Sequence, residues 1–201
     1  MANVLYGAEG ATDAPVAEHI IRYVDRVPRL AWARGGKSQL DPRVRRWNQS
    51  SNQMPFLVLR DWDDSDPANC VPQHVEDVLG GPLQAPKLSV RVPVRSIESW
   101  LMADSEAFCE YFHTAKVNGA PDELANPKLA LVEACRRSKS SGVRRDMVPK
   151  AGAKRAVGEL YEARIIDFAT SHWRIEHALH RSPSLERTVN RLKQLVEDGV
   201  W

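Results

Sequence analysis

Two short acidic stretches stand where apolar runs end. Glu9 sits between Gly7-Ala8 and Gly10, directly after Val4-Leu5-Tyr6. Asp61 and Asp63 open the segment Asp61-Trp62-Asp63-Asp64-Ser65-Asp66, which follows Phe56-Leu57-Val58-Leu59-Arg60. An unpaired carboxylate at a buried strand end is costly, so Glu9 is either a solvated turn residue or faces something positive. In parallel sheets, ligands gather beyond the carboxyl ends of the strands. If the two runs are neighbouring strands, Glu9, Asp61 and Asp63 converge on one small volume. Clustered carboxylates raise one another's pKa unless a cation is present. Oxygen-only donors suit Mg²⁺ or Mn²⁺, which take carboxylates together with water and substrate phosphate. The chemistry on offer is metal-assisted attack on a phosphoester. Taken alone, the Asp-rich segment reads more readily as a turn, because Asp starts turns and caps helices; the order and spacing of the two segments together favour the metal reading.

Further candidates follow along the chain. Glu98 comes after the run Leu88 to Ile97, at the carboxyl end of a third strand. It is either a further metal ligand or a carboxylate favoured by a helix N-terminus. Asp104 reads as a helix cap, and Trp100 as core. Between Arg136 and Arg155 lie eight basic residues against the single acid Asp146, and a second basic stretch runs from Arg34 to Arg46. Such segregated charge is either a solvated face or a contact for a polyanion. Within the first stretch, Lys150, Lys154 and Arg155 occupy a glycine-containing loop before a helix, where charge and helix amides together could hold phosphate; the P-loop pattern is absent. The six histidines are scattered, and His177 and His180, one turn apart, fit a solvated helix face. Cys70, Cys109 and Cys135 are odd in number and widely spaced, which suggests neither a disulfide framework nor a cysteine zinc site.

These side chains must be positioned by a fold, and the sequence outlines one. Asn3 to Tyr6 is expected as a first strand, with Asp13 or Thr12 capping a helix that carries Val16, Ile20, Val24 and Val27 on one stripe and ends at Pro28. Residues 29–53 read as a long surface connection with at most a short strand near Leu30. Pro55 to Leu59 is apolar on both faces, as a central parallel strand requires. Val71 to Leu79 is a short helix closed by Gly80-Gly81. Leu88 to Ile97 alternates as a strand, with Pro93 marking an edge or a bulge. From Glu98 onward the pattern is helical, and Ser182-Pro183 starts a last helix whose stripe is Leu185, Val189, Leu192 and Val196. The expected class is α/β: a parallel sheet flanked by helices over residues 1–105, with a helical part over 106–201 packed on it as one unit.

The stretches Tyr6-Gly7-Ala8-Glu9-Gly10 and Phe56 to Asp64 resemble the TOPRIM fold, whose motifs are a Glu after the first strand and an Asp-x-Asp after a later one. Most of the remaining chain, including Val92 to Asp104, Asn126 to Leu131 and Arg144 to Tyr161, resembles the DUF4276 family of TOPRIM-like proteins. Ala8 departs from the β-branched residue common before that Glu. The resemblance implies a metal-dependent phosphodiesterase or nuclease, akin to OLD-type enzymes. In it Glu9 has acid/base and ligand roles and Asp61 and Asp63 hold Mg²⁺ or Mn²⁺; beside it, the basic loop of Lys150, Lys154 and Arg155 is expected to bind the nucleic-acid backbone through its charge. A defence-related setting and a protein partner from the same operon belong to the same expectation. Two alternatives stand beside it: a non-catalytic nucleic-acid-binding or regulatory module, and a metal-dependent enzyme acting on nucleotides or other small phosphorylated molecules. With 43% hydrophobic residues and a net charge of +2, no membrane-length apolar run and no visible secretory signal, the expected setting is the cytoplasm.

Overall fold

A computed structural model describes residues 1–50, 54–62, 68, 70–117 and 119–201. The first half lays down β1 (Asn3–Ala8), α1 (Ala14–Tyr23), β2 (Val27–Ala33), α2 (Gly36–Gln49), β3 (Phe56–Leu59), α3 (Val71–Leu79) and β4 (Leu88–Arg91). The second half is helical: α4 (Ile97–Ala103), α5 (Ser105–Phe112), α6 (Pro127–Arg136), α7 (Ser141–Met147), α8 (Tyr161–Ser171), α9 (Ile175–Leu179) and α10 (Pro183–Glu197). The four strands form one parallel sheet in the order β2-β1-β3-β4. The fold is therefore α/β, with helices on both faces of a parallel sheet.

Strand alternation divides the apolar side chains between those faces. Val4, Tyr6 and Ala8 of β1 and Leu57 and Leu59 of β3 point into the larger core, built with α1 and the helical half. Phe56 and Val58 point to the other side, where Leu40 and Val44 of α2 and Val78 and Leu79 of α3 cover the sheet. Gly7 permits that cover: a Cβ there would stand 3.0 Å from the Trp47 ring, which packs on Phe56 at 4.3 Å between centroids. The larger core runs from Val4 and Ile20 to Phe108, Ile165 and Leu192, so burial joins the sheet to the last helix.

Several expected elements are present. α3 ends on Gly80 in the left-handed conformation at φ 72°, the usual glycine C-terminus. The Ser182 hydroxyl accepts the Leu185 amide at the start of α10, whose Leu185, Val189 and Leu192 are buried. Others require correction. The helical stripe breaks off at Tyr23, and Val27 starts β2 instead. Residues 29–53 are no mere surface connection: they hold most of β2 and all of α2. The strand from Leu88 stops at Arg91, because Pro93 has no amide for a ladder and α4 already starts at Ile97. Asp13 precedes α1, but its side chain makes no capping bond; it turns back to accept the Gly10 amide at 2.9 Å.

Candidate functional site

Parallel pairing of β1 with β3, in the register Leu5↔Phe56, Tyr6↔Leu57 and Gly7↔Val58, brings the residues after both strands side by side. Glu9 Oε1 accepts the Asp61 amide at 3.1 Å. The same oxygen accepts from the Arg60 guanidinium at 2.9 Å. Arg60 is 1% exposed, and its Nε and second terminal nitrogen grip Asp41 of α2 at 2.9 and 3.3 Å. It also donates to the Asp61 carbonyl. Thus the positive group that meets Glu9 in the chain itself is Arg60, to which the sequence pattern assigns no role. Two carboxylates share this one guanidinium, so the knot retains a negative charge. Burial pushes the Glu9 carboxyl above its ordinary value, and Asp41 adds to it, against the pull of Arg60 and the Asp61 amide.

Asp61 projects into a predominantly negative field. Burial raises its carboxyl well above the ordinary value, and the charges of Asp13, Glu98 and Glu9 raise it further; only Lys128 pulls the other way. Asp13, buried beneath the β1–α1 turn, is pushed up to about 6 by burial and by Glu98 and Glu9, against hydrogen bonds from Gly10 and Thr12. Glu98 is 1% exposed in the first turn of α4. It accepts from Ser96 at 2.6 Å and from the Tyr161 hydroxyl of α8 at 2.7 Å, with Lys128 Nζ of α6 at 3.5 Å. Glu98 in turn raises the Lys128 amine more than burial lowers it. Glu98 therefore opens a helix and belongs to the acidic cluster at the same time.

A cavity of about 180 Å³ opens beside Asp61, lined by Asp61, Arg95, Ser96, Asn126, Pro127 and Lys128 among others; Glu9, Asp13 and Glu98 are not among its lining residues. Arg95 is placed by the strand-like continuation in which the Trp62 amide donates to the Arg95 carbonyl at 3.0 Å. Trp62 stacks on His74, whose ring nitrogen contacts the Asp61 carbonyl at 3.1 Å. Among the described residues, none donates a hydrogen bond to the Asp61 carboxylate. It is the open member of the cluster, whereas Glu9, Asp13 and Glu98 are held by donors.

Of the sequence-predicted site residues, Glu9, Asp61 and Glu98 come together, and Asp63 lies outside the described residues. Lys150, Lys154 and Arg155 line a separate hollow of about 510 Å³ with Arg145 and Glu159, and Lys150 pairs with Glu159 at 2.8 Å. Asp104 is a cap, accepting the Ala107 amide at 3.3 Å, and is bound by Arg174 as well. Trp100 is fully buried, its indole N–H donating to Ser184 at 2.7 Å. His177 and His180 are exposed. Asp13, Lys128 and Tyr161 are members that the sequence did not announce.

The carboxylates of the cluster, Glu9, Asp13, Asp61 and Glu98, are oxygen donors of the kind a hard divalent cation takes. Among the described residues, no group of three or more His, Cys, Asp or Glu stands in a metal-holding arrangement. No helix among them is long and apolar enough to cross a membrane. In comparison with known proteins, the chain matches no family model, no curated protein and no solved structure.

Proposed function

We propose that this chain is a metal-dependent phosphodiesterase of the nuclease type, built on a TOPRIM-like core and acting on nucleic acid. The observation that carries this reading is the Asp61 carboxylate. It lies beyond β3 beside Glu9, unbonded by any described residue, and lines a cavity whose other charged lining residues, among those described, are the cations Arg95 and Lys128. A carboxylate and two cations lining one cavity suit a metal ion and a phosphate held together. Asp61, with Glu9 and Glu98, would hold Mg²⁺ or Mn²⁺, whose contribution when bound is to offset phosphate charge and lower the pKa of a water. Lys128 and Arg95 receive the phosphate oxygens. Arg60 fixes Glu9 and the Asp61 backbone so that the carboxylates are oriented before substrate arrives. Lys150, Lys154 and Arg155 extend the hold on the backbone.

The test is cleavage of single- and double-stranded DNA and RNA oligonucleotides with Mg²⁺ or Mn²⁺, by the parent and by Asp61→Asn. The variant should lose more than the roughly 10–100-fold typical of residues that only support metal ligands. Equal cleavage by both proteins would remove Asp61 from the site. Lys150→Ala with Arg155→Ala should weaken oligonucleotide binding and lower its salt slope by about 2, since every phosphate left without its cation keeps roughly one counterion; an unchanged slope assigns them to a solvated face.

A second reading is favoured by one specific observation: Arg60 already occupies Glu9 Oε1, as a resident cation would in a module that binds nucleic acid without turning it over. Oligonucleotide binding with no cleavage in Mn²⁺ selects that reading.

A further inference from the structure

On the far edge of the sheet, β4, α3 and the start of α10 enclose a hollow of about 480 Å³ that shares no lining residue with the carboxylate cavity. Its lining is largely apolar, with Val71 and Val75 of α3 and Val90 and Val92 of the β4 segment. Its charged lining residues are Arg91 and Arg187. No carboxylate is among the described residues that line it. The Arg91 Nε is buried without a hydrogen-bond partner, and among the described residues neither Arg91 nor Arg187 has an acidic ion-pair partner. Burial, with the nearby charges of Arg191 and Arg187, holds the Arg91 guanidinium below its ordinary value. A buried guanidinium nitrogen left unpaired costs stability, and like charges facing one hollow add to that cost. Both are relieved by an anion.

We propose that this hollow binds a phosphate monoester with an apolar body, the phosphoryl group on Arg91 and Arg187 and the body against Val71, Val75, Val90 and Val92. Charge selects the headgroup: a phosphate monoester carries about −1.5 to −2 at neutral pH, which two guanidiniums match better than they match a carboxylate. Guanidinium forks also suit phosphate oxygens in geometry. The volume falls within the roughly 300–1,000 Å³ of small-molecule sites. A nucleic-acid backbone would use the arginines but leave the valines without a partner.

Phenyl phosphate is the probe, titrated calorimetrically into the full chain with EDTA present, so that divalent cations do not bridge it to the carboxylate cavity. It should bind about tenfold or more tightly than inorganic phosphate, because its ring buries apolar surface against the valines. Arg187→Ala, a change at an exposed helix position, should weaken binding by about tenfold or more through removal of a charge-assisted hydrogen bond. Val75→Trp should block binding by filling the hollow while leaving both charges in place. Asp61→Asn should leave binding unchanged, which separates this site from the one proposed above. The proposal is overturned if phenyl phosphate does not bind, or if it binds equally to the parent and to Arg187→Ala. It is overturned too if an oligonucleotide binds in EDTA, loses that binding in Arg187→Ala and is not displaced by phenyl phosphate, for the arginines then belong to a nucleic-acid track.

Discussion

Asp104 and Asp146 meet arginines, whereas Asp13 and Asp61 meet other carboxylates. Asp104, buried at the junction of α4 and α5, accepts both the Nε and a terminal nitrogen of Arg174 at 2.8 Å. Burial alone would raise its carboxyl, but Arg174 and the amides of Ala107 and Arg174 hold it below the ordinary value. Asp146 lies between Arg164 at 2.8 Å and Arg145 at 3.0 Å and is held low, chiefly by Arg164. Among the described residues no arginine bonds the Asp13 or Asp61 carboxylate, and burial with the neighbouring acids raises both. One chain thus treats buried acids in two ways. It closes the charge balance where helices are joined and leaves it open beyond the strand ends.

The comparison breaks most visibly at Asp104. Asp104→Ala removes a cap and the hydrogen bonds to Arg174, and should cost roughly 3 kcal/mol in urea unfolding; a loss under about 0.5 kcal/mol, ordinary for a surface site, would deny it a joining role. The next effect concerns pH. Asp13 has a folded pKa of about 6, above an unfolded value of about 3.9, so the folded state binds the extra proton between them. Its contribution to stability is complete below that window and lost as pH rises through it. In metal-free protein, Asp13→Asn should therefore gain on the parent between about pH 4 and pH 6, by on the order of 2 kcal/mol. Asp104 and Asp146 act with the opposite sign, losing their contribution as pH falls below the unfolded value. A parent-minus-variant difference that is flat across roughly pH 4 to 7 would contradict the burial of Asp13 beside Glu98 and Glu9. Smallest is the change at Asp61. Without metal, Asp61→Ala should leave the melting temperature level or slightly raised, because one mutually repelling carboxylate is gone. The stabilisation that Mn²⁺ gives the parent should shrink in the variant. Unfolding of metal-free Asp61→Ala would make Asp61 a structural turn residue.

What the sequence made legible was whatever depends on strong apolar patterning. β1, β3, α3 and α10 each carry an unbroken run or a clean stripe, and two of them are bounded by residues with a backbone reason to be there, Gly80 and Ser182. β2 and α2 escaped because they bury little: β2 is an edge strand exposing Arg29, Leu30 and Ala31. α2 buries only Leu40, Val44 and Asn48, one residue per turn, and holds Pro42 among many charged and amide side chains. β4 reads too long because valines alternate through Pro93. At the site, Glu9 and Asp61 could be found because each follows a strand. Asp13 could not, since an acid before a helix ordinarily caps it. Arg60 left a weak signal, a cation directly after a buried apolar run. Lys128 and Tyr161 arrive from distant helices, and no local pattern marks them.

The hydrogen bond from Tyr161 to Glu98 spans 63 residues of sequence, and the one from Arg60 to Glu9 spans 51. Consider the chain emerging from a ribosome, amino end first. Glu9, Arg60 and Asp61 are available once β3 is out, yet Glu98 gains its phenol donor only after α8 has begun to appear, and Lys128 only with α6. Long loops must close before such distant contacts contribute. A nascent chain therefore carries its acid residues well before the helical half that organises them, and the pocket matures late, in step with the last helices.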